Sequence, residues 1–123
     1  MDVGETFVNL QVFRVLRNEI KGNGDTESEV VAFHAVRKEM VVGQCATIRI
    51  MHQVVTEREK AGGFVEALAR EQNTIVEEAK DIDERVKEFG EGAGQRFERE
   101  KEKIRRLFQE EKLKMVQDAE KMF

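Results

Sequence analysis

The chain is 123 residues long with a formal charge of −4, is 37% charged and 40% hydrophobic, and contains one cysteine and no proline. That length suits one domain with a modest core, and a lone Cys45 excludes an internal disulfide framework. No apolar run reaches the roughly 20 residues of a membrane span, and Asp2 and Glu5 carry the wrong sign for a mitochondrial presequence, so an intracellular setting is expected, cytoplasmic in preference to nuclear.

Roughly six prolines would be average for this length. A chain with none keeps every backbone donor and can run as helix wherever its side chains allow. The first helix is expected over residues 3–21, with Asp2 as cap, Glu5 three residues on, and Gly22 after the last turn. Phe7, Val8, Leu10, Val12, Phe13, Val15, Leu16 and Ile20 spread around most of its circumference, which calls for burial on several sides.

Gly22-Asn23-Gly24-Asp25 reads as a turn, and Thr26-Glu27-Ser28-Glu29 matches the S/T-x-x-E capping box. A second helix is expected over residues 27–60. Its stripe contains Val30, Val41, Cys45, Ile48 and Val55, flanked by Phe33, Met40 and Met51. The β-branched residues between Val41 and Val55 are the main counter-signal to a continuous helix.

The third helix, residues 64–89, carries the clearest periodicity. Ala61, Val65, Leu68, Gln72, Ile75, Ala79, Ile82, Val86, Phe89 and Ala93 alternate at spacings of four and three, as a coiled-coil seam does, with Gln72 the single polar member. The stripe of the preceding helix is out of phase with this seam by about one residue, or roughly 100° of rotation. Gly62-Gly63 sits at the misfit and reads as the turn of an antiparallel helical hairpin.

Glycines at 90, 92 and 94 predict a hinge or short link before a last helix over residues 95–122. Phe97, Ile104, Phe108, Met115 and Met122 continue the seam spacing there, interrupted by Lys101, Glu111 and Asp118. Residues 95–123 hold nine basic and seven acidic side chains, a net of +2, against −6 for the remainder. Interspersed signs of this kind describe a solvated helix face, with no specific nucleic-acid footprint.

The residues that carry chemistry do not assemble into a site by spacing. His34, Cys45 and His52 fall within about 20° of one helix face, yet lie roughly 16 Å and 10 Å apart along the axis and so could not converge on one zinc. Neither histidine has a glutamate three residues before it, as a di-iron bundle requires. Gly90 to Gly94 lacks the Gly-Lys-Ser/Thr of a phosphate loop. No metal or cofactor is expected.

The sequence therefore predicts an all-α fold, residues 1–123 as a single helical domain. Its form would be an elongated antiparallel helical hairpin or coiled coil, with a short N-terminal helix and a C-terminal helix after a glycine hinge. The expected function is a non-enzymatic scaffold or assembly subunit of a multi-subunit complex, binding a helical protein partner or its own copies. The partner seam would comprise Val65, Leu68, Ile75, Ile82, Val86, Phe89, Phe97, Ile104, Phe108 and Met115. The competing expectation is reversible binding to a lipid surface through the amphipathic last helix.

Overall fold

Backbone donors that no proline removes are taken up almost entirely in helices. The computed structural model describes residues 3–22, 27–45, 47–60 and 62–122. The expected cap at Asp2, the turn at residues 23–25, Thr26 of the expected capping box, and Ala61 lie outside them. The fold is all-α, with no strand among the described residues: α1 (Val3–Gly22), α2 (Glu27–Arg37), α3 (Thr47–Val54), α4 (Glu57–Lys60), α5 (Phe64–Glu78), α6 (Ile82–Glu88) and α7 (Ala93–Met122). A π-helical turn, Lys38–Gly43, extends α2.

In place of one helix over residues 27–60, the chain widens after Arg37, opens at Gln44 and Cys45, and restarts as α3. The β-branched pair Val41-Val42 followed by Gly43 weakens regular helix here. Opening the helix frees carbonyls that must still be satisfied in a buried place. Gln72 Nε2 on α5 donates to the carbonyls of Val41 at 3.2 Å and Cys45 at 3.1 Å. Asn9 Nδ2 on α1 donates to Met40 O at 3.5 Å, and the Cys45 thiol donates to the same oxygen at 3.4 Å. The one polar member of the seam is thus the donor that closes the broken helix.

A second restart follows at Thr56. Its Oγ1 accepts from the Glu59 N–H at 3.4 Å, and the Glu59 carboxylate accepts from the Thr56 N–H at 3.3 Å, a reciprocal capping box for α4. The chain then turns through Gly62 and Gly63, whose N–H groups both donate to Glu59 O. A Cβ on Gly63 would lie 2.3 Å from that oxygen, so only glycine fits.

The expected helix 64–89 is also interrupted. Ala79 closes α5, and Asp81 adopts φ 61° before α6 begins. Aspartate tolerates this left-handed region better than most residues. Gly90 and Gly92, at φ 91° and 76°, then supply the reversal that lays α7 against α6, α2 and α1. The core is fixed where these helices cross: the Phe13 and Phe108 rings stack at 4.9 Å between centroids, and Phe33 meets Phe13 edge-on at 5.8 Å.

A polar cluster ties α2 to α5 at one side of this core. Arg37 Nη2 donates to Glu78 at 2.8 Å and to His34 Nδ1 at 3.1 Å. Burial raises the Glu78 proton affinity, but the Arg37 hydrogen bond and charge outweigh it and hold the carboxyl below its usual range. Burial, then the Arg37 charge, push His34 down to about 4.

Two outcomes follow from these polar contacts. Replacing Gln72 with Leu preserves an apolar seam but removes its bonds to the Val41 and Cys45 carbonyls, of which Cys45 O keeps the 3.4 Å bond from the Ile48 N–H, a loss of about 1–3 kcal/mol. Urea unfolding should report that loss, and an unchanged midpoint would refute the role given to Gln72. His34 is neutral in the folded state while its unfolded counterpart takes a proton below about pH 6.5. Its contribution is therefore complete above that value and declines as pH falls toward 4. In His34→Gln, unfolding free energy measured from pH 7 to 4 should decline less steeply than in the parent.

Candidate interaction surface

The predicted seam faces inward within the chain itself. Leu68 and Ile75 on α5, and Ile104 and Phe108 on α7, are buried in the core. Val65, Phe97 and Met115 are half-buried, and so are Ile82, Val86 and Phe89 on and just after α6. Phe97 and Met115 pack against the core from its edge. The seam residues are thus divided between a shared core and a half-covered flank.

α7 is positioned by polar contacts spread along its middle. Glu100 accepts from Ser28 Oγ at 2.9 Å near the start of α2, and Arg105 reaches Glu39 at 3.0 Å and Glu102 at 3.1 Å. The hydrogen bond to Glu39 raises the Arg105 pKa above its ordinary value. Lys112 pairs with Glu5 at 3.1 Å, bringing the C-terminal half of α7 to the first turn of α1. Lys101 and Lys112 also lie over the rings of Phe97 and Phe108, at 4.6 Å and 5.6 Å.

Beyond Met115 the helix outruns these supports. Every described side chain from Val116 to Met122 is exposed. Met122 stands one heptad past Met115 at the same seam phase, about 10 Å further along the axis, and is 81% exposed. Leu113 and Val116, three residues apart and off the seam, form an exposed apolar pair on another side of the same helix.

Other apolar groups emerge at this end of the bundle. Phe7 on α1 and Phe64 at the start of α5 are 43% and 54% exposed and contact each other with centroids 5.8 Å apart. His52 contacts Glu66, which sets the last turns of α3 beside the first turn of α5, and Ile50 and Val54 project from α3 into solvent. Among the described residues, seven of the eight exposed large hydrophobics therefore belong to this end. Val30, in the first turn of α2, is the eighth. The seam pattern could not reveal this set, because Phe7, Phe64, Leu113 and Val116 lie off it. Their signal was the presence of large apolar residues at phases the core does not use.

His34, Cys45 and His52 take separate partners. His34 joins Arg37 and Glu78, Cys45 bonds to Met40 O, and His52 meets Glu66. Among the described residues, no group of three histidine, cysteine or carboxylate side chains is placed to hold a metal. No helix among them is long and apolar enough to cross a membrane.

Comparison with known proteins finds no matching family model, no matching curated protein and no matching solved structure.

Proposed function

We propose that this protein is a non-enzymatic scaffold or assembly subunit that engages a helical partner, or a second copy of itself, through the apolar end of the bundle. The observation that carries this reading is the gathering of Phe7, Ile50, Val54, Phe64, Leu113, Val116 and Met122 at one end, where α7 runs on beyond its own supports. Exposed apolar groups concentrated in this way mark interaction sites more often than scattered ones do. The surface area adds weight: the chain exposes 7984 Å², against roughly 6,800 Å² for a folded monomer of this mass. A helix that projects from a bundle and keeps its seam phase has the geometry to enter a groove or extend a second bundle.

Charges around the overhang favour selective pairing over general adhesion. Lys112, Lys114 and Lys121 alternate with Glu110, Glu111, Asp118 and Glu120, so a partner helix must match both signs. A cytoplasmic setting remains part of the proposal on sequence grounds alone. The lipid-surface alternative asks α7 to present Ile104 and Phe108 to headgroups, yet these are 3% and 2% exposed. A membrane would have to pull α7 from the core to use them.

Light scattering and capture from extract test the proposal together. Expected is either a mass above the 14.2 kDa of one chain or recovery of a specific partner. The double substitution Leu113→Glu and Val116→Glu should reduce association by about tenfold or more, the scale of losing a buried anchor, while helicity stays unchanged. A 14.2 kDa monomer that captures nothing at about 0.1 mM, a concentration that reveals even weak association, would overturn it. Flotation with anionic vesicles at low salt would replace it with the lipid reading.

A further inference from the structure

We infer that the occupant of the apolar end is a second copy of this chain, bound about a twofold axis so that the α7 overhang of each copy rests on the Phe7–Phe64 shelf of the other. The inference rests on the interaction reading above and names its partner. The end has two parts. One projects: the last turns of α7, with Leu113, Val116 and Met122 exposed. The other receives: the Phe7 and Phe64 rings in contact, with Ile50 and Val54 four residues apart on the exposed side of α3.

The first turns of α1 stand between these parts. Glu5 takes Lys112 at the root of the overhang, while Phe7 meets Phe64. Residues two apart on a helix are turned by about 200°, so projection and shelf lie on opposite sides of α1. A twofold axis through that point, in the plane of the end, carries the overhang of one copy onto the shelf of the other and the reverse at once. A closed pair requires this self-complementarity. The overhang past Met115 runs about 10 Å and the eight residues of α3 about 12 Å, so one can lie along the other. A single helix from another protein covers the shelf or the overhang and leaves the other part bare.

The amount of surface agrees with a pair. At 7984 Å² the chain exposes about 1,200 Å² more than the roughly 6,800 Å² of a compact monomer of this mass. Two copies each hiding that surplus bury about 2,400 Å² in total, within the class of permanent homodimers and above the roughly 1,200–2,000 Å² of standard-size complexes. Large apolar side chains are also what homodimer interfaces hold at their centre. Lys112 already has Glu5, and His52 has Glu66, so neither enters the closed face as an unpaired charge.

Light scattering of the full chain at about 0.1 mM should give twice the 14.2 kDa of one chain. Two variants then divide the end, each altering exposed side chains only and checked for helicity: Leu113→Glu with Val116→Glu on the overhang, and Ile50→Glu with Val54→Glu on the shelf. Alone, each should self-associate about tenfold more weakly or worse, because both contacts of the pair then hold one faulty part. Mixed in equal amounts, they should form two-chain particles more tightly than either does alone, since the mixed pair keeps one intact overhang on one intact shelf. No recovery on mixing, or a shelf variant that associates as the parent does, would overturn the inference. So would a mass that climbs past two chains with concentration, the sign of open head-to-tail growth. A single-chain mass for the parent that still recovers a partner from extract sinks this inference and leaves the interaction reading standing; one that recovers nothing ends both.

Discussion

The helix that opens between Met40 and Cys45 is held by side-chain amides from other parts of the chain, and the rest of the packing depends on that substitution. Freed carbonyls in a buried place would ordinarily forbid such an opening. Gln72 and Asn9 supply donors from α5 and α1, so the π-helical turn becomes the point where three helices are locked in register. Register along α5 then sets where Glu78 meets Arg37 and where Glu66 meets His52. A polar group in a seam usually trades stability for specificity. Here it also satisfies backbone that the sequence itself has exposed.

The all-α class and the two outer helices are legible in the sequence alone. The span of α1 and its demand for burial on several sides follow from apolar residues around most of its circumference, and α7 follows from a seam that Ile104 and Phe108 anchor. The breaks were less accessible. Thr56-x-x-Glu59 is a capping-box pattern inside the expected helix over residues 27–60, and the apolar stripe that runs up to Val55 gives no separate sign of the break. The interruption at Asp81 had no comparable signal, since the seam passes through it: Ala79 is buried and Ile82 half-buried. Periodicity reports which face is covered. It does not report whether the backbone stays regular between two covered residues.

The seam also could not distinguish burial within the chain from burial against another one. Leu68, Ile75, Ile104 and Phe108 are all buried in one core cluster inside the bundle, a result that the same heptad spacing would have allowed with a partner chain. The polar cluster around Arg37 was illegible for a different reason. Arg14, Arg17, Glu71 and Glu78 each look like ordinary solvated charges at helical spacing. Only the crossing of α1, α2 and α5 brings them together with Arg37.

The aromatic centre has a consequence for how the chain acquires its structure. Phe13 and Phe33 meet early in the sequence, but the ring that stacks on Phe13 belongs to Phe108. During synthesis at about 5–20 residues per second, the first two rings must wait several seconds for the third. Until then the growing chain displays an apolar surface that no local helix can cover. Contacts of such long sequence separation slow the final collapse, so the interval before α7 arrives is when this protein is most exposed to wrong associations.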